Sequence, residues 1–69
     1  MNDTLKKGIE EFSKRNFLVA EKIFINLIRN NPLFFPAYSS LIQTFISQDK
    51  LEEALKYSEK LHKLDKNNE

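Results

Sequence analysis

Apolar residues recur at helical spacing in four segments of the chain, with polar breaks between them. Leu5, Ile9 and Phe12 stand at i, i+4 and i+7 and predict a first helix with one apolar stripe. Asp3 or Thr4 is placed to cap its start. Lys14 and Arg15 are expected in its last turn, where cations suit the helix dipole. Asn16 then reads as the cap of a second helix, on which Phe17, Ala20, Ile23, Phe24, Leu27 and Ile28 make a wide apolar face. Asn30, Asn31 and Pro32 end that helix, because the residue before a proline avoids helical backbone angles. Pro36 suits the first turn of a third helix, where its missing N–H costs nothing. Tyr38, Leu41, Ile42, Phe45 and Ile46 line this helix. Asp49 with Glu52 reads as a capping box for the fourth, and Leu51, Ala54, Leu55, Leu61 and Leu64 form its apolar side. Glu52–Lys56, Glu53–Tyr57 and Glu59–Lys63 are expected to face outward, the first and last as ion pairs. Residues Asp65 to Glu69 are expected to fray.

The four segments fall into two copies of one pattern. Shifted by 34 residues, the chain lays Ala20 on Ala54, Phe12 on Ile46, Leu27 on Leu61, Asn16 on Lys50 and Asn31 on Asp65. Such self-similarity is the mark of a repeat architecture. The expected fold is all-α: two stacked antiparallel helix–turn–helix units, four helices in all, forming a short right-handed solenoid fragment. Residues 1–69 make a single domain, with repeat one over 2–34 and repeat two over 35–68.

The period, the helix lengths and the marked positions resemble the tetratricopeptide repeat over nearly the whole chain. Gly8, Phe12, Phe17, Ala20, Phe24 and Pro32 follow that family's glycine, aromatic, aromatic, alanine, aromatic and proline in order. Tyr38, Leu41, Phe45, Leu51, Ala54 and Tyr57 occupy the stations of the second repeat, with Tyr57 one place early. The small residues have a physical role, since Gly8 and Ala20 allow paired helices to approach closely. Three departures stand out. Lys7 replaces the family's leucine before the glycine, Ile42 stands where the second repeat would have its own glycine, and Lys66 replaces the closing proline.

Size and composition narrow the picture further. The chain has 69 residues and no cysteine, so disulfides and thiolate metal sites are excluded. A domain this small buries only about 60% of its unfolded surface, and another protein chain is the natural source of additional burial. The formal net charge is +1 with both signs interspersed, which argues against a nucleic-acid arm. Lys6, Lys7, Lys14 and Arg15 give the first helix some positive charge, but Asp3, Glu10 and Glu11 offset it. The longest uncharged stretch, Asn30 to Gln48, is broken by Pro32 and Pro36 and is unsuited to crossing a membrane. The N-terminus lacks a secretory pattern, so a cytoplasmic address is the default expectation.

No catalytic constellation is apparent. His62 is the single histidine, and paired histidines and a phosphate-cradling glycine loop are both missing. Glu10, Glu11, Glu52 and Glu53 read as a solvated face, and no enzyme activity, metal or cofactor is expected. In the fourth helix Ser58, Glu59 and His62 replace Phe24, Ile25 and Ile28 of the second, as a polar terminal cap would require. Phe34 and Phe35 read mainly as core in the connection between repeats.

The resemblance implies a protein–protein interaction module that binds a peptide or partner protein in a groove lined by the first helix of each repeat. Here Leu5, Ile9, Phe12, Ser39, Gln43 and Ile46 would line it, with Gly8, Ala20, Phe24, Pro32, Tyr38 and Ala54 as repeat signature. In one subclass a lysine and an asparagine of the first helix clamp a C-terminal carboxylate. Leu5 and Ile9 stand at those places and cannot donate hydrogen bonds, so no clamp is expected. The alternative is a homo-oligomerising structural or scaffold unit, in its simplest form a homodimer.

Overall fold

A computed structural model of the chain describes residues 2–67. Among the described residues there are four helices and no strand: α1 (Asn2–Ser13), α2 (Phe17–Asn30), α3 (Phe35–Ser47) and α4 (Leu51–Asn67). Each helix packs on the next in the chain, α1 also touches α3, and α4 rests on α3 alone. The result is two helical hairpins laid side by side in a slab of 35 × 27 × 14 Å.

The hairpin turns are near copies of one another. Arg15 and Asp49, 34 positions apart, both have positive φ, 68° and 64°. In the first turn the Arg15 N–H donates to the Phe12 carbonyl and the Asn16 N–H to the Glu11 carbonyl. In the second the Asp49 N–H donates to Ile46 and the Lys50 N–H to Phe45. These paired bonds close the orphan carbonyls of α1 and α3 as a Schellman motif, a place that glycine usually takes. The next helix then starts in the same way, with Ala20 N–H donating to Asn16 and Ala54 N–H to Lys50. A translational repeat is thus present in the backbone itself.

The turns also correct several expected caps. α1 begins at Asn2, so Asp3 and Thr4 lie inside its first turn instead of before it. Lys14 and Arg15 fall beyond the end of α1, in the turn. Asn16 holds the cap position of α2 but makes no side-chain cap bond there; its amide donates to Glu11 Oε1 at 2.8 Å instead. Asp49 is spent on the left-handed turn and sits one residue too early to form a capping box with Glu52. The break at Asn30–Pro32 and the placement of Pro36 in the first turn of α3 are as expected. α4 continues through Asp65 and Lys66 instead of fraying there, while Asn68 and Glu69 lie outside the described residues.

Ala20, Phe24, Leu27 and Ile28 of α2, Ala37, Tyr38, Leu41 and Phe45 of α3, and Ala54 of α4 form the core. Leu5, Phe12, Phe34, Phe35 and Ile42 pack half-buried against it. α2 and α3, flanked on both sides, carry nearly all of this core, whereas α4 is covered along one narrow stripe. That stripe is Ala54, Tyr57, Leu61 and Leu64, at i, i+3, i+7 and i+10. Tyr57 was expected to face outward; instead its ring lies 5.7 Å from Phe45 and 6.4 Å from Tyr38, sealing the α3–α4 seam. Leu51 and Leu55, expected as core, are exposed because no further helix covers that side of α4. Ile46 is also exposed, at the solvent edge of α3.

Among the described residues the buried side-chain polar groups are satisfied. The Thr44 hydroxyl donates to the Ser40 carbonyl at 2.7 Å, and the Tyr38 hydroxyl donates to the Pro32 carbonyl at 2.9 Å. Glu21 of α2 accepts from Lys50 Nζ at 2.8 Å and from Gln48 Nε2, which ties the first hairpin to the turn of the second. The expected pairs Glu52–Lys56 and Glu59–Lys63 are not closed; among the described residues the ion pair within reach is Lys50–Glu21.

Candidate functional site

The site is a cavity at the place where α1 meets α3. It begins with Gly8, which is buried against α2. A Cβ at this position would lie 2.5 Å from Phe24 Cε1, 2.9 Å from Phe24 Cζ and 3.0 Å from Ile23 Cγ2. Only a residue without a side chain leaves room for the Phe24 ring, which is 0% exposed. With that ring in place, Ile9, one position further along α1, is turned away from the α1–α2 contact and stays 46% exposed.

Phe24 therefore forms the floor of the cavity, Ile9 and Phe12 of α1 one wall, and Ser40 and Gln43 of α3 the other. Its volume is about 200 Å³. Phe12 is held by an edge-on contact with Phe17, their ring centroids 5.4 Å apart. No ionisable side chain lines the cavity. On α3 this follows from the sequence, which carries no ionisable acid or base apart from Tyr38; on α1 it follows from helix phase, since Lys6, Lys7, Glu10 and Glu11 lie outside the lining. Tyr38 points into the core, where burial, and secondarily the neighbouring Tyr57, push its phenol above the ordinary tyrosine range.

Of the six residues expected to line a groove, Ile9, Phe12 and Gln43 come together here. Leu5 is half-buried in the α1 packing and does not line the cavity. Ser39 and Ile46 are exposed on α3 but also lie outside the lining. The correction is one of helix phase. At 100° per residue, the buried face of Ala37, Tyr38, Leu41, Thr44 and Phe45 centres on Leu41, which puts Ser40 and Gln43 on the side toward α1 and Ser39 and Ile46 on the other. Two lining residues, Phe24 and Ser40, were absent from the expected set. The burial of Ala37 and of the polar Thr44 rotates α3 so that Ser40 joins the lining, which an apolar pattern of Tyr38, Leu41, Ile42, Phe45 and Ile46 does not signal; nothing in the spacing of α2 distinguished Phe24 from the rest of its apolar face.

The signature residues Gly8, Ala20, Phe24, Tyr38 and Ala54 are all buried, while Pro32 is exposed and contributes its carbonyl to Tyr38. At the opposite end of the slab Ser58, Glu59 and His62 are exposed. Among the described residues no three histidine, aspartate or glutamate side chains converge as a metal ion would require, and no helix is long and apolar enough to cross a membrane.

The architecture is thus that of an all-α chain of helical hairpins with an apolar cavity between the first helices of each. Against known proteins, the chain matches no family model, no curated protein and no solved structure.

Proposed function

We propose that this chain is a protein–protein interaction module of the tetratricopeptide type, taking a peptide or a segment of a partner protein between α1 and α3. The observation that carries the reading is the cavity lined by Ile9, Phe12, Phe24, Ser40 and Gln43, apolar within and bordered by hydrogen-bonding groups. Such a lining favours recognition over catalysis, because it holds no acid, base or activated nucleophile. The repeated turn geometry at Arg15 and Asp49, together with small residues at Gly8, Ala20 and Ala54, supports the family assignment. Leu5 and Ile9 stand where that family's clamp needs hydrogen-bond donors, so weak or no binding to acidic C-terminal tails is expected.

Partner capture by the parent chain and by Ile9→Lys tests this. Ile9 is 46% exposed, so the variant should keep its circular dichroism and lose capture. Capture that survives the substitution would sink the proposal, and global unfolding would place Ile9 in the core.

A second reading has its own support. Leu18, Leu33, Leu51 and Leu55 are each 58% exposed or more, with Val19 and Ile46 close to half. Apolar surface of this kind suits self-association as a scaffold unit, and an oligomer could still present the groove.

A further inference from the structure

Resting on the reading of the α1–α3 cavity as a docking site, we infer that its occupant is one bulky uncharged side chain, a phenylalanine or leucine, carried by a neutral segment of another protein. Size comes first. Pockets for cofactors and drug-sized molecules occupy about 300–1,000 Å³, and this one offers about 200 Å³. A cavity of about 150 Å³ lined by Leu, Ile and Phe is enough to hold a benzene ring. The space therefore suits one aromatic or branched aliphatic side chain.

Charge comes second. The lining contains no ionisable group, and the stretch from Asn30 to Gln48 that supplies the α3 wall carries no Asp, Glu, Lys, Arg or His. A carboxylate or ammonium entering beside Phe12 and Phe24 would lose its hydration with no opposite charge to replace it. The exposed charges of α1, Lys6, Lys7 and Glu10, lie outside the lining, so the neutral requirement falls on the anchor and on the partner residues that face α3. The hydrogen-bonding groups come third. The Ser40 hydroxyl and the Gln43 carboxamide stand on one wall. A carboxamide offers both donor and acceptor, so Gln43 can bond a partner's backbone on either side of the anchor, in an extended or a helical segment.

Short random-sequence peptides displayed on phage and selected on the full chain provide the test. Enriched peptides should share one obligatory Phe or Leu with uncharged neighbours. Replacing that anchor with Ala should abolish binding. Gln43→Glu, at an exposed position, should keep the fold and weaken binding at least about tenfold, equivalent to 1.4 kcal/mol. Peptides that bind the parent but not Ile9→Lys, yet require two apolar anchors or a charged group beside the anchor, would overturn this inference and leave the docking site standing. No enrichment over Ile9→Lys, or binding indifferent to that substitution, would overturn both.

Discussion

At the scale of single residues, Gly8 sets up the most clearly signed prediction. Alanine in place of a mid-helix glycine gains about 1 kcal/mol of helix propensity. Here the added methyl would meet a Phe24 ring that is fully buried and cannot swing away. Overpacking of this kind costs about 1–3 kcal/mol, so Gly8→Ala should be destabilising on balance, as read from urea denaturation. A variant at least as stable as the parent would show that the α1–α2 crossing relaxes more easily than its geometry indicates. Arg15 and Asp49 give the opposite sign. Left-handed backbone costs a non-glycine residue about 1–2 kcal/mol, against a smaller entropic penalty for glycine. Arg15→Gly should raise stability by up to about 1 kcal/mol and Asp49→Gly by less, because aspartate tolerates left-handed backbone better than arginine. Tyr38 supplies a pH dependence. Its folded pKa lies above the unfolded value of about 10, so the folded state holds its proton longer. The contribution is fully present below pH 10 and is lost as pH rises through the folded value. Ionisation also removes the donor to the Pro32 carbonyl. Denaturation midpoints measured from pH 8 upward should fall more steeply in the parent than in Tyr38→Phe; parallel profiles would remove Tyr38 from the account.

At the scale of the helices, the crossings rest on small side chains. Ala20 is 0% exposed and Ala54 6% exposed, at matching stations of α2 and α4. Ala20→Leu or Ala54→Leu should cost about 1–3 kcal/mol, with Ala20 the more sensitive because its helix is packed on both sides. Parent-like melting of both would dissolve the proposed hairpin pairing. The order and number of helices could be read from the chain because their signals are stereochemical: the Asn31–Pro32 break and Pro36 admit few alternatives. Helix ends were less legible where the structure uses an uncommon solution. Asp49 looks like a cap residue although aspartate also tolerates a positive φ, and nothing in the identity of Arg15 announces one. Periodicity also overstates burial on a helix with one neighbour, which is why Leu51 and Leu55 read as core and prove exposed while Tyr57 turns inward. The candidate site was half legible, since Ile9, Phe12 and Gln43 follow from repeat position. Ser40 and Phe24 depended on the rotation of α3 and on the ring position that Gly8 permits.

At the scale of the whole molecule, surface is in excess. The chain exposes 5022 Å², where the scaling for a compact monomer of 8.2 kDa gives about 4,500 Å². A single layer of helices is consistent with that surface, and under the proposed reading another chain covers part of it. If that chain is a second copy, sedimentation at increasing concentration should show a dimer; a monomer at high micromolar concentration with a sharp melt would eliminate self-association. The packing of each helix on its successor has a kinetic counterpart. Apart from the α1–α3 contact and the tie from Glu21 to Gln48 and Lys50, tertiary contacts join helices adjacent in the chain, so little loop-closure entropy opposes folding. Chains with such short-range topology reach the native state in microseconds to milliseconds.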